Sequence, residues 1–162
     1  MTQAQQRLDE KSHPLPGEGS AFPKGYVPSE KEKYMNEKQL AYFNALLHDW
    51  RIRLEKELAE TLQELQSGST NADLNDAASS EYEQEVELRT RDRERKLIMK
   101  IDEALERIKN SQNPDYSGDD LFGFCEETGD PIGIPRLLAR PIATLSIEAK
   151  RIQEKQEKGY AG

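Results

Sequence analysis

The sequence contains few of the residues that cross-link small proteins or act in catalysis. Its 162 residues include one cysteine, which excludes a disulfide within the chain, and two histidines. No apolar run approaches the roughly 20 residues of a membrane span, and the first residues lack the apolar stretch of a signal peptide. Neither a phosphate-binding glycine loop nor a hydrolase triad pattern is present. We therefore expect a soluble, cytoplasmic protein without enzymatic activity of its own.

The composition is also too polar for a large central core. Hydrophobic residues make up 35% of the chain and charged residues 33%, whereas a coiled coil needs only a narrow apolar seam. The net charge of −8 argues against direct binding to duplex DNA, because phosphates are bound by basic surfaces. These proportions favour an elongated helical protein.

Two segments with helical periodicity flank a short polar turn. The first runs from Asn36, a candidate N-cap, to Gln66 and repeats apolar residues at steps of three and four: Leu40, Phe43, Leu47, Trp50, Leu54, Leu58, Leu62 and Leu65. The second runs from Ser80, which with Glu83 forms a candidate capping box, to Asn110. Its apolar residues are Tyr82, Val86, Leu97, Ile98, Ile101, Leu105 and Ile108. Two arms of about 31 residues would each be about 45 Å long. The short turn favours an antiparallel hairpin within one monomeric chain over pairing between chains.

The chain divides into three predicted regions. Residues 1–33 contain four prolines and should form an irregular N-terminal arm, which Phe22, Tyr26 and Val27 could attach to a folded body. Residues 34–110 should form the hairpin, with its tip at 67–79. Residues 111–162 are interrupted by glycines and prolines and should form a small globular segment that ends in a helix over 146–158.

Three blocks of this sequence resemble the DksA family of bacterial transcription factors, which bind RNA polymerase. They are YMNEKQLAYFNALLHDWR (34–51), ELRTRDRERKLIMKI (87–101) and FGFCEETGDPIGIPRLLARPIATLSIEAK (122–150). The resemblance implies a mainly α fold, in which a coiled-coil hairpin stands on a small globular domain. It also implies that the hairpin tip enters the polymerase secondary channel and destabilises open promoter complexes together with guanosine tetraphosphate (ppGpp). Ribosomal RNA promoters would be inhibited and some amino-acid promoters activated.

The resemblance also assigns roles to individual residues. The tip pattern Asp-x-x-Asp-x-Ala falls on Asp73, Asp76 and Ala78, and Asp76 is the acidic residue that we expect to act. A contact with the polymerase rim falls on Arg93. The ppGpp-contacting cations fall on Lys100, Arg140 and Lys150. The alternatives are that Asp76 only caps a helix and that the cations only solvate the surface.

The sequence departs from the family at the zinc site. Typical members hold zinc with four cysteines, but the corresponding positions here are Cys125, Thr128, Ser146 and Ala149. Since alanine has no donor atom, we expect no bound zinc, and the missing metal must be replaced by packing against the hairpin base. We expect that packing from Leu121, Phe122, Phe124, Ile132, Ile134, Leu137, Leu138, Leu145 and Ile147. Cys125 is expected to be a small buried filler, with a redox role as the alternative.

Two other functions compete with this hypothesis. A transcript-cleavage factor of the Gre type also uses a hairpin, and its tip carboxylates help to place a metal ion. The spacing of Asp73 and Asp76 differs from that pattern. A generic coiled-coil scaffold would not need carboxylates confined to a turn. We therefore expect RNA polymerase and ppGpp as partners, with no sequence-specific DNA binding and no membrane.

Overall fold

The described part of the chain is mainly helical. The computed structural model describes residues 22–23, 25–68 and 77–161. The helices are α1 (Glu37–Gly68), α2 (Ala77–Gln112), α3 (Ile134–Ala139) and α4 (Ile147–Ala161). Extended pairing within these residues is limited to one bridge between Phe124 and Pro131. The predicted fold class is confirmed.

Helices α1 and α2 form an antiparallel hairpin. Arg51 Nε on α1 lies 2.6 Å from Asp102 Oδ1 on α2, and farther along α1 the Glu57 carboxylate is close enough to act on Glu94. Because residue numbers fall on α2 as they rise on α1, the two helices run in opposite directions. Their 32 and 36 residues correspond to lengths of about 50 Å.

The first turn of α1 is fixed by two polar side chains. Asn36 Oδ1 accepts a hydrogen bond from the Gln39 backbone N–H at 2.8 Å, so Asn36 is the N-cap that the sequence predicts. Gln39 is fully buried, and its Oε1 accepts from the Met35 N–H at 2.7 Å while its Nε2 donates to the Ser29 carbonyl at 3.2 Å. Gln39 thereby ties the segment that precedes α1 to the hairpin.

The hydrophobic core lies at the base of the hairpin, where the C-terminal segment packs against both arms. It contains the predicted seam residues Phe43 and Leu47 of α1 and Ile101 and Ile108 of α2, all fully buried. The core also includes, from the C-terminal segment, Phe122, Cys125, Ile132, Ile134, Leu137, Ala143, Leu145 and Ala149. The rings of Phe43 and Phe122 are 5.3 Å apart. The predicted packing of this segment against the hairpin is confirmed. Of the predicted set, Ile147 is 47% exposed and so is wrong, and the half-buried Leu121 and Phe124 do not belong to the buried core.

The seam nearer the tip differs from the prediction. Tyr82 is 69% and Val86 42% exposed, so neither lies between the arms. The half-buried positions of α2 there are polar and continue the seam of the base at steps of three and four: Gln84, Glu87, Arg91 and Glu94. Helix α2 also begins at Ala77, three residues before the predicted start at Ser80, so Ser80 lies inside the helix. The apolar pattern alone selected the wrong face of α2 in this half.

Charges inside this polar seam are imperfectly compensated. Burial raises the pKa of Glu94, and the Glu57 carboxylate across the seam raises it further, whereas Arg91 on the same helix lowers it. A seam of this kind adds little apolar burial. The tip half of the hairpin is therefore held together less tightly than the base.

Candidate functional site

A cleft of about 450 Å³ lies between the base of α2 and the C-terminal segment. Lys100, Arg140 and Lys150, the three cations singled out from the sequence, all line it. They come from three separate places in the fold: Lys100 lies on α2, Arg140 directly follows α3 as its C-cap, and Lys150 lies in the first turn of α4. The fold therefore brings together residues that are up to 50 positions apart in the sequence.

These three side chains keep their charges available. Within the described ranges, no carboxylate forms an ion pair with Lys100, Arg140 or Lys150. Lys150 Nζ donates to the neutral Gln153 Oε1 at 3.3 Å. Four acidic residues also line the cleft, Glu103, Glu106, Asp120 and Glu126, but three cations without carboxylate partners suit a ligand that carries several phosphate oxygens.

Two further arginines line the cleft but have structural partners. Arg107 is buried, forms an ion pair with Asp120 at 2.8 Å and donates from Nη2 to the Phe124 carbonyl at 3.1 Å. Arg136 Nε donates to the Leu145 carbonyl at 2.9 Å. No local sequence motif marks either residue. They connect the walls of the cleft.

The four positions of the zinc site in the family lie close together but do not form a zinc site. The Cys125 thiol lies near the Thr128 hydroxyl and near backbone groups of Ser146, Thr128 and Glu127. Ser146 Oγ accepts from the Ala149 N–H at 3.2 Å and so caps α4. The Ala149 methyl group is buried in the core. A tetrahedral zinc site needs four sulfur, nitrogen or oxygen donors, and the residues present do not fit this requirement.

Hydrogen bonding makes the Cys125 thiol unusually acidic. Burial would raise its pKa, but the hydrogen bonds from Thr128 and the surrounding backbone groups outweigh burial and lower the pKa to about 7. Because the pKa of this thiol is lower in the folded state, its ionisation stabilises the fold at pH values above its unfolded pKa of about 8.5. That stabilisation disappears as the pH falls through about 7.

This shift makes a prediction about stability. Relative to a Cys125→Ala variant, the free energy of unfolding of the wild type should rise between about pH 7 and 9, by no more than about 1.4 kcal/mol for each unit of pKa shift. Urea unfolding of both proteins at several pH values measures the difference. A difference that does not change with pH would contradict the shifted pKa.

Tyr34 provides a second link between the hairpin base and the C-terminal segment. Its hydroxyl donates to the Gly123 carbonyl at 2.5 Å and accepts from the Gly133 N–H at 3.0 Å. Gly123 has φ of +87°, and a Cβ there would lie 2.9 Å from Met35 Cγ, so only glycine fits beneath this contact. Tyr34 thus ties the segment that precedes α1 to Gly123 and Gly133, which lie on either side of the bridge between Phe124 and Pro131.

Removing this hydroxyl should therefore destabilise the protein. We expect Tyr34→Phe to lower the free energy of unfolding by about 1–3 kcal/mol, because the partly buried Gly133 N–H and Gly123 carbonyl lose their partner. Tyr82→Phe, at a position that is 69% exposed, is the matched control and should change it by less than about 0.5 kcal/mol. Thermal and urea unfolding provide the measurement, and equal effects of the two substitutions would refute the role of Tyr34.

The tip residues lie at or beyond the limits of the described ranges. Asp73 and Asp76 are outside them. Ala78 belongs to the first turn of α2, which begins one residue after Asp76 in the sequence. Arg93 is exposed on α2, between the tip and the cleft.

The described residues contain neither a candidate metal site nor a candidate membrane span. In residues 22–68 and 77–161, apart from Lys24, no group of three or more histidine, cysteine or acidic side chains is placed to hold a metal ion. None of the helices in the same part of the chain is long and apolar enough to cross a membrane.

Comparison with known proteins gives consistent matches over most of the chain. Residues 39–108 match the family model of the DnaK suppressor protein DksA, N-terminal domain, and residues 121–155 match that of the prokaryotic dksA/traR C4-type zinc finger. The RNA polymerase-binding transcription factor DksA of Caulobacter vibrioides is 49% identical over 134 residues, which cover 82% of this chain and 88% of the relative. The protein of the same name from Escherichia coli K12 is 44% identical over 138 residues, or 85% of each chain.

A solved structure is similar over nearly the whole length. The transcription factor DksA2 from Pseudomonas aeruginosa superposes with a TM-score of 0.69 and 37% sequence identity, and the match covers 96% of this chain and 98% of that one. The similarity therefore extends to the arrangement of the hairpin and the C-terminal segment.

Proposed function

The chain belongs to the DksA family, and on this basis we propose that it regulates transcription by binding bacterial RNA polymerase as a monomer, with its hairpin inserted into the secondary channel. Relatives that are 44–49% identical carry the name RNA polymerase-binding transcription factor. A hairpin about 50 Å long can carry a small tip deep into a channel while its base stays outside. In this role the protein is a regulator of the polymerase and not an enzyme.

The tip acts near the polymerase active site. Asp76 supplies the negative charge, Ala78 makes a close contact beside it, and Asp73 has a lesser role. Arg93, farther back on α2, contacts the rim of the channel. The resulting complex destabilises open promoter complexes, so promoters with short-lived open complexes, such as those of ribosomal RNA, are inhibited. Some amino-acid promoters are activated.

The observation that carries the proposal is the convergence of Lys100, Arg140 and Lys150 on one cleft. These cations are free of carboxylate partners in the described part of the chain, and the cleft lies beside the base of the hairpin, where the rim of a channel would meet it. We assign to it one side of a ppGpp site, the other side of which is formed by polymerase. Binding of ppGpp there strengthens the effect on transcription.

The protein performs this role without zinc. Ala149 and Ser146 leave the position of the family's metal without a full set of donors, while the Tyr34 hydroxyl and the shared core connect the C-terminal segment to the hairpin. The cytoplasm, where polymerase resides, is the corresponding location.

A cross-linking experiment tests the placement of the tip. A photo-activated amino acid at position 73 should cross-link to polymerase residues that line the secondary channel near the catalytic magnesium, and the same group at Lys158, on α4, should not. Cross-links from position 73 to the outer surface alone would contradict the proposal. Cleavage of RNA in a stalled elongation complex would favour a Gre-type function instead.

A further inference from the structure

Arg107 differs from the other cations of the cleft in its burial. It lines the same cleft, yet the residue is only 5% exposed, whereas Lys100 and Arg140 are exposed. A guanidinium with so little exposure has lost most of its hydration and depends on anionic or carbonyl partners around it. An anion that enters the cleft therefore interacts with Arg107 more strongly than with a fully solvated cation.

The partners of Arg107 satisfy its guanidinium incompletely. Nη2 donates to the Phe124 carbonyl at 3.1 Å. Nε lies 2.8 Å from Asp120 Oδ1, which is close enough for an ion pair. The N–H of Nε is not aligned with that oxygen, however, and among the described residues it has no hydrogen-bond partner. Asp120 therefore compensates the charge of Arg107 but leaves a buried donor that favours an acceptor with better geometry.

The Asp120 side chain is held only loosely. It is 62% exposed, whereas its main chain is fixed on both sides: the carbonyl accepts from Asn110 Nδ2 at 3.1 Å, and the N–H donates to the Tyr116 hydroxyl at 3.3 Å. The carboxylate can therefore leave Arg107 without any movement of the loop. Its displacement into water costs little, because an ion pair with an exposed partner contributes little.

We propose that Arg107 is a fourth phosphate-binding cation of the cleft and that Asp120 competes with the ligand for it. The inference rests on the function proposed above, in which the cleft binds ppGpp. A phosphate group offers several acceptor oxygens, and arginine can pair with it through two parallel hydrogen bonds. The entering phosphate replaces the Asp120 carboxylate beside Nε. Asp120 thereby raises the ppGpp concentration at which the cleft is filled.

The other carboxylates of the cleft do not act in this way. Glu103, Glu106 and Glu126 also line it, but within the described ranges none of them forms an ion pair with a cation of the cleft. Glu126 instead accepts from the Thr144 hydroxyl at 3.3 Å. These three glutamates repel a polyanion, whereas Asp120 both repels it and occupies one of the cations that it needs.

Asp120→Asn tests this inference, with Asp119→Asn as the matched control. Both substitutions remove one negative charge from the same loop, but Asp119 is exposed and does not line the cleft. Binding of labelled ppGpp is measured on the complex of the full-length protein with polymerase, at fixed ionic strength. We expect Asp120→Asn to tighten binding about fivefold. Asp119→Asn should change it by less than about twofold, because its charge is screened.

A double substitution tests whether Arg107 is the residue that is released. Arg107→Gln removes the charge but keeps a donor for the Phe124 carbonyl, so Asp120→Asn should no longer tighten ppGpp binding in that background. Circular dichroism and urea unfolding verify that each variant folds. If Arg107→Gln does not fold, the comparison of Asp120→Asn with Asp119→Asn decides alone.

The outcomes separate this inference from the proposed function. If the wild-type complex does not bind ppGpp, the ppGpp site of the proposed function is wrong. If the wild-type complex binds ppGpp and Asp120→Asn weakens binding or has the same effect as Asp119→Asn, Asp120 only neutralises a buried arginine and the inference is wrong. An equal gain with and without Arg107 would assign the effect to the total charge of the cleft and overturn the role of Arg107.

Discussion

Asp76→Asn should abolish the effect of the protein on ribosomal RNA promoters while leaving polymerase binding nearly intact. Asparagine caps helices as well as aspartate does, so the substitution removes the charge without removing a cap. A hydrogen bond to a charged group contributes about 1.5–3 kcal/mol, so we expect the change in open-complex lifetime to shrink by about 10- to 100-fold. The lifetime is measured by competitor challenge of preformed complexes.

Asp73→Asn is the control for this experiment. Both aspartates fall in the predicted tip segment, but Asp76 directly precedes the first residue of α2 in the sequence and falls on the acidic position that the family resemblance favours. We expect Asp73→Asn to retain most of the activity. If Asp76→Asn shortens open-complex lifetime as strongly as the wild type, the proposed action of the tip is wrong.

Removing the cleft cations should eliminate the response to ppGpp. Lys100→Ala and Arg140→Ala each remove a cation that has no carboxylate partner among the described residues from a cleft that we assign to polyphosphate binding. Each loss should weaken ppGpp binding to the protein–polymerase complex by about tenfold or more, since hydrogen bonds from charged groups are involved. Binding of labelled ppGpp to the assembled complex measures the change.

Lys109→Ala serves as the matched control, because Lys109 is an exposed lysine on the same helix outside the cleft. It should leave ppGpp binding unchanged. Inhibition in the absence of ppGpp should be similar in all three variants. Equal ppGpp affinity of the Lys100 and Lys109 variants would show that the cleft does not bind ppGpp.

The sequence predicted the hairpin well because its base obeys a simple periodicity. Apolar residues at steps of three and four from Leu40 to Leu54 form the buried side of α1, although Trp50 is only half-buried. Polar residues also marked the starts of two helices. Asn36 caps α1, and Ser146, the predicted first residue of the last helix, caps α4.

The same reasoning failed toward the tip for a physical reason. The seam there is polar, so the apolar residues Tyr82 and Val86 indicate an exposed face and not the contact between the arms. Only the continuous spacing from Ile101 back through Ile98, Glu94 and Arg91 reveals the true seam. That register can be recognised once the well-packed base is known.

The cleft could be predicted only in part. The family resemblance selected Lys100, Arg140 and Lys150, but their proximity depends on how α3 and α4 pack against α2. Arg107 and Arg136 were missed because their partners lie on other elements. The division into regions 1–33, 34–110 and 111–162, and the roles of the tip residues, stay predictions.

Transcription from a ribosomal RNA promoter, with purified polymerase and a strong zinc chelator, tests whether this protein regulates polymerase without zinc. The protein is first incubated with the chelator under denaturing conditions and then refolded, beside a four-cysteine relative treated in the same way. We predict that the protein still inhibits transcription and that ppGpp strengthens the inhibition, whereas the relative loses activity. Loss of inhibition that added zinc restores would contradict a fold held together by packing and hydrogen bonds.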